Sequence, residues 1–188
     1  MIVGDFTEDY EVMVPFQALT MVGHNVHTVC PGKKSGEQIA TAIHDFEKGL
    51  QTYLERRGHN FTLNYDFDQI NLSDYHGLIL PGGRGSEYLR LNDRVIEITE
   101  YFLKNNLPLG AICHGIQILT PCSLIKGRKV TCYPTCQTEV KLSGGIFEEK
   151  DYGDVTVDGN LITAVAWPGH PKWLSEFLKV LGTSFVSN

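Results

Sequence analysis

The chain predicts an α/β fold in which helices cover a mostly parallel sheet. Three observations carry that reading. β-type and α-type apolar patterns alternate along the sequence without repeats or low-complexity segments. The 188 residues, 42% hydrophobic and 20% charged, suffice for one domain with a substantial core, residues 1–188. Two short apolar runs, residues 77–80 and 108–112, have the character of central strands buried on both faces.

Taken in order, residues 1–4 form a short first strand, and residues 5–9 lead into a helix with Val12, Phe16, Leu19 and Val22 on one face, closed by Gly23. Residues 25–30 form a second strand. A polar connection runs through His59, and residues 61–66 are extended. The strand at 77–80 ends sharply at Pro81-Gly82-Gly83. Asn92 caps a helix to about Asn105, whose Val95, Ile96, Ile98, Thr99 and Phe102 face inward. Residues 108–112 are strand-like and 115–119 helix-like. Asp158-Gly159, between VTV and LITAV, marks a hairpin, and Pro171-Lys172-Trp173 opens a last amphipathic helix to Leu181.

Composition narrows the partners. A formal charge of −6 without a Lys/Arg block leaves no electrostatic footprint for nucleic acid or an anionic membrane, so a small neutral or acidic-tolerant ligand is expected. No apolar stretch approaches the roughly 18 residues of a spanning helix. The opening MIVGDFTEDYE lacks the basic region of a signal peptide, and a cytoplasmic location is expected. The five cysteines, an odd number, argue for free thiols in a reducing compartment. Cys132 and Cys136 lack a companion pair, and His24, His27, His44, His59 and His76 show no ligand spacing, so no metal site is expected.

Between the strand at 108–112 and the helix at 115–119 stand Cys113 and His114. This is a nucleophile elbow: a sharp strand-to-helix turn lifts its side chain over the carboxyl edge of the sheet, Gly115 leaves room for the turn, and the helix N-terminus favours a thiolate. A buried structural cysteine is the plain alternative. The adjacent histidine and the flanking glycines favour the nucleophile.

The elbow A-I-C-H-G (residues 111–115) resembles that of the ThiJ/PfpI superfamily, whose members have a flavodoxin-like three-layer sandwich. The resemblance covers nearly the whole chain and includes D-Y-E-V-M-V-P (9–15), P-G-G-R with the following E-Y-L-R-L-N (81–92) and W-P-G-H-P-K-W-L (167–174). Among subgroups the chain is most similar to the plant glyoxalase III type, usually two such domains in tandem, and to PfpI; family members begin several residues earlier. The resemblance implies that Cys113 is the nucleophile, Glu11 the carboxyl beside it, and His114 a base or orienting group assisted by Glu87. In PfpI-like dimers and hexamers the matching Glu comes from a neighbouring subunit, and a homo-oligomer is expected. Gly82 and Gly83 resemble the oxyanion-stabilising turn. Taken singly, Glu11 is a first-turn acid complementing a helix dipole, Glu87 a surface helix charge and the glycine pair a turn. Next to a thiolate, a buried Glu11 should hold a proton at neutral pH and titrate together with Cys113.

The glyoxalase III resemblance implies a glutathione-independent conversion of methylglyoxal or glyoxal to a hydroxy acid, with no metal or organic cofactor. Cys113 adds to the aldehyde as a hemithioacetal, Glu11 or His114 moves the C1 proton towards C2 through an enediol, and water releases the thioester. Deglycase activity on early glycation adducts uses the same nucleophile. PfpI implies a cysteine peptidase built on Cys113, His114 and Glu87, ranked second because adjacent Cys and His side chains are expected to diverge. A redox-sensing stress protein or holdase acting through Cys113 oxidation is the third reading. Class I glutamine amidotransferases share the C-x-G-x-Q pattern of Cys113, Gly115 and Gln117, but their H-P-E is His170-Pro171-Lys172 here. A cation cannot orient the histidine, and His170 reads as opening the last helix.

Overall fold

Residues 1–184 are described by a computed structural model. Strand β1 (Thr7–Glu8) runs directly into helix α1 (Asp9–Met21), and a hairpin follows, β2 (Gln38–Asp45) with β3 (Leu54–Thr62). Next come β4 (Leu78–Leu80), the short α2 (Gly85–Leu89) and α3 (Asp93–Lys104). Strand β5 (Leu109–Ile112) passes through a tight turn at Cys113–Gly115 into α4 (Ile116–Leu119). The last third holds β6 (Lys129–Val130), α5 (Gln137–Leu142), β7 (Ile146–Phe147), β8 (Val155–Asp158), β9 (Leu161–Ala164) and α6 (His170–Leu181).

The main sheet has the order β4-β5-β9-β8, parallel except for β8, which returns antiparallel to β9 through the expected turn at Gly159 (φ +57°). Strands β4, β5 and β9 are buried along their whole length. The expected strands at 1–4 and 25–30 shrink to one bridge, Ile2 to Val29. Their place in the sheet survives, because the Ile2 N–H donates to the Ile79 carbonyl (3.2 Å) and the Val3 N–H to that of Val29 (2.9 Å). Beyond Val3 the chain leaves the sheet through a turn with Phe6 at φ +63°, too soon for a regular ladder.

The largest departure from expectation is the polar connection, which contains the hairpin β2–β3. Together with β1 it makes a second sheet, β1-β2-β3, parallel then antiparallel, with an irregularity between Ala40 and Ala42. Strand β3 (LERRGHNFT) is almost wholly exposed, so it has no apolar alternation to betray it and is held by backbone pairing to β2. The parallel pair β6–β7 and helix α5 were likewise unforeseen, while α2 is the surface helix expected to carry Glu87.

Helices cover the main sheet as the patterns predict. Asn92 caps α3 by accepting from the Val95 N–H (3.1 Å), and Val95, Ile98, Thr99 and Phe102 are buried while Ile96 is half-buried. Such a cap contributes about 1 kcal/mol. Helix α6 buries Trp173, whose indole N–H donates to the Ile162 carbonyl of β9 (3.0 Å), and Gly182 at φ +84° ends it. In α1, Val12 and Leu19 are buried but Phe16 and Val22 only partly, because the helix also turns Asp9 and Glu11 inward. No helix among the described residues is long and apolar enough to cross a membrane.

Candidate active site

The carboxyl ends of β4 and β5 and the start of α1 converge on Cys113. As the elbow pattern demands, Cys113 has a left-handed backbone (φ +56°), a conformation that L-residues adopt at a cost of order 1–3 kcal/mol. Gly115 permits the turn, since a Cβ there would run into the Leu80 carbonyl. Gly82 is equally constrained. A Cβ on it would lie 2.6 Å from Glu11 Oε2, 2.7 Å from the His114 nitrogen and 2.8 Å from Cys113 Cβ, so these groups meet across a gap only a glycine fits.

Glu11 is fully buried. Its Oε2 accepts from the Gly82 N–H (2.8 Å), while Oε1 is buried without a hydrogen bond among the described residues. Burial, and then the charge of Glu8, push its carboxyl well above the usual range, against smaller pulls from the Gly82 N–H, the Cys113 thiol and the Trp167 backbone. The proton expected on Glu11 is thus favoured. Of the two glycines expected to face an oxyanion, Gly82 has its N–H engaged by Glu11, while Gly83 (φ +80°) packs where a Cβ would meet the Phe6 oxygen and Glu8 nitrogen at 2.5 Å.

Two expectations about Cys113 are corrected. Its side chain and that of His114 do not diverge, for Sγ lies 3.2 Å from His114 Nδ1. The left-handed turn at Cys113 swings the two side chains onto one side. Nor does the elbow lower the thiol's proton affinity. Cys113 is 1% exposed, and burial followed by the nearby Glu11 pushes it well above its usual value, against only the His114 backbone N–H. Helix α4 has four residues, too few for a strong N-terminal field, and no cation among the described residues offsets the rise. His114 is pushed down to about 4 by burial and by His44, so it is a neutral acceptor at pH 7. Its ring stacks on Tyr133 (5.0 Å between centroids) and meets Tyr53 edge-on (5.6 Å).

Glu87 stands apart. It lies exposed on α2, and its side chain makes no hydrogen bond or ion pair within the described residues. His170 is buried at the first position of α6 with Nε2 unpartnered among the described residues, and burial holds it down to about 4.

Several site residues escape sequence reasoning. Glu8, 1% exposed, caps α1 by accepting from the Glu11 N–H (2.8 Å) and also accepts from the His44 N–H (3.4 Å). Burial raises it to about 7, the backbone donors opposing. Its signal was a carboxyl three residues before Glu11, reading as a solvated cap. The hairpin brings His44, whose Nε2 meets Glu55 Oε2 (3.1 Å), and Tyr53, which stacks on His44 (4.0 Å). Beyond Tyr133, the rings of Phe46, Tyr152 and Trp167 carry the aromatic wall outward. All five cysteines are free, and no cluster of His, Cys, Asp or Glu among the described residues is arranged to hold a metal ion.

With this geometry in hand, comparison with known proteins is informative. The profile of the DJ-1/PfpI family matches residues 1–180. The chain is 51% identical to protein DJ-1 homolog D of Arabidopsis thaliana over 180 residues, 95% of this chain and 46% of that protein, so it spans about half the length of such plant relatives. It is 32% identical to deglycase PfpI of Pyrococcus furiosus over 178 residues, covering 93% of each. Among solved structures, Schizosaccharomyces pombe DJ-1 superposes with a TM-score of 0.76 at 18% identity, over 95% of this chain and 88% of that one, a likeness of fold. The chain belongs to the DJ-1/PfpI family.

Proposed function

We propose that this member of the DJ-1/PfpI family is a glutathione-independent glyoxalase that converts methylglyoxal or glyoxal to the hydroxy acid through Cys113. The observation that carries the reading is the meeting of three groups: a buried thiol 3.2 Å from a neutral imidazole, with a buried carboxyl held at the same turn by the Gly82 N–H. As Sγ adds to the aldehyde carbon, His114 Nδ1 takes the thiol proton and Glu11 gives its proton to the aldehyde oxygen. The Glu11 carboxylate then carries the C1 hydrogen to C2, while the hydroxyl proton passes from the C1 oxygen to the C2 oxygen, giving a thioester. Water releases the hydroxy acid; the sulfur recovers its proton from His114, and Glu11 recovers one from water. The residues alone account for every proton.

Relatives named as deglycases support carbonyl chemistry on sugar-derived or dicarbonyl adducts. Burial of Cys113 and His114, with Tyr53 and Tyr133 against the imidazole, favours a small free dicarbonyl over an adduct carried on a protein. The 3.2 Å contact removes the geometric objection to a peptidase, but the same burial opposes access by a peptide chain. The test is Cys113→Ser offered methylglyoxal without glutathione. Lactate formation should fall on the order of 10³-fold or more with the fold intact; undiminished lactate formation would overturn the reading. Casein cleavage by the parent protein would select the peptidase instead.

A further inference from the structure

The proposed chemistry ends on a hydrolysis for which His114 and Glu11 are poorly suited. After isomerisation they stand as imidazolium and carboxylate around one sulfur, and opposite charges in contact make the carboxylate a weaker base. A second imidazole borders the site. His44 of β2 is 1% exposed, and its Nε2 lies 3.1 Å from Glu55 Oε2. Glu55 is gripped in turn by Arg84 Nε (2.8 and 3.0 Å). A carboxylate at Nε2 fixes the proton there and leaves the lone pair on Nδ1, the orientation logic of base and orienter in hydrolytic sites.

That Nδ1 is buried and has no hydrogen-bond partner among the described residues. Leaving such an atom unpaired costs stability, which an incoming polar ligand recovers. The surroundings tie it to the site. The His44 N–H donates to Glu8, its carbonyl accepts from the Trp167 indole (3.0 Å), and its ring stacks on Tyr53, which in turn meets His114. Burial, partly offset by Glu55, lowers its proton affinity, keeping it neutral at pH 7.

We infer that His44, oriented by the Glu55–Arg84 pair, is the base for the water that releases the hydroxy acid from Cys113. Water oxygen bonds to the acyl carbon, its proton passes to His44 Nδ1, the carbon–sulfur bond breaks, and the sulfur takes the proton held by His114. The proton on His44 then replaces the one Glu11 lost to substrate. The assignment rests on the glyoxalase reading, and Glu55 is a positioning residue within it.

The experiment compares the parent, His44→Gln and Glu55→Gln with methylglyoxal, following lactate and the intact mass of quenched protein, with and without hydroxylamine, which attacks thioesters without a base. His44→Gln should lower turnover about a hundredfold, accumulate acylated Cys113, and recover turnover, as hydroxamate, when hydroxylamine is added. Glu55→Gln should shift the same readouts less, about tenfold. A His44→Gln protein as fast as the parent, or slowed without acylated Cys113 and without rescue, overturns the inference. A parent that forms no lactate overturns the glyoxalase reading, and this one with it.

Discussion

The two ends of the parallel sheet differ in a way that volume alone misrepresents. At the end where residues 1–3 and β4 begin lies a hollow of about 560 Å³, bordered by Met1, Leu19, His27, Tyr65, Tyr75 and Phe177. Polar groups around it satisfy one another: His27 Nδ1 pairs with the Tyr75 hydroxyl (2.8 Å), His24 Nε2 with Thr183 Oγ1 (2.8 Å), and the His27 ring lies flat on Tyr65 (4.0 Å). At the opposite end Glu11 Oε1 and His44 Nδ1 are buried without partners among the described residues, and Cys113 is held at a positive φ. Unsatisfied groups and strained backbone cost stability, so they persist where chemistry uses them. The proposed chemistry sits with the unpaired atoms, away from the hollow.

The largest expected effect breaks the reactive end at its proton carrier. Glu11→Gln keeps the acceptor for Gly82 but cannot shuttle a proton, so lactate formation should fall about 10²–10³-fold while iodoacetamide still alkylates Cys113; equal turnover removes Glu11 from the mechanism. Next is Gly82→Ala. Its Cβ would press on Glu11, His114 and Cys113, and the variant should lose at least about tenfold in turnover and roughly 1–3 kcal/mol in denaturant unfolding. A variant matching the parent in both would show that these groups are not packed around residue 82.

Titration sharpens the contrast. Glu8 is raised from 4.5 to about 7, so the folded state retains a proton that the unfolded chain has lost; Glu8 therefore costs stability increasingly as pH rises from about 4.5 through 7. His114 and His170, lowered from 6.5 to about 4, act oppositely: stability is lost as pH falls from about 6.5 through 4. Glu8→Gln should then be more stable relative to the parent at pH 8 than at pH 5, by at most a few kcal/mol, read from urea unfolding at the two pH values. A difference that does not change with pH rules out the buried titration. The smallest effect lies at the end that holds the hollow. Tyr75→Phe there removes one hydrogen bond and should cost about 1 kcal/mol in stability with turnover within about twofold of the parent. A large loss of turnover would erase the distinction between the two ends.

Much of the reactive end was legible residue by residue. The run ICHG between an apolar strand and an apolar helix announces an elbow, and Asn92, Gly159 and the Trp173 face mark their elements because caps, turns and amphipathic stripes are properties of a few neighbouring residues. The hairpin was not legible. Its outer strand, LERRGHNFT, carries the composition of a loop, and only pairing with β2 makes it extended. His44, Glu55 and Tyr53 were lost with it. Glu8 was hidden for another reason: a carboxyl before a helix is ordinarily solvated, and its burial depends on β2 and Gly83 closing over it.

Chain-local pattern was therefore enough for the class of the fold, for the elbow and for the glycine turn facing it, since steric and hydrogen-bonding preferences there act over a handful of residues. Which way Cys113 and His114 point, how far their proton affinities move, and which second histidine stands beside them depend on groups far away in sequence, from Glu11 and His44 to Gly82. Burial and charge act through space, so those properties exist only once the chain has closed around the sulfur.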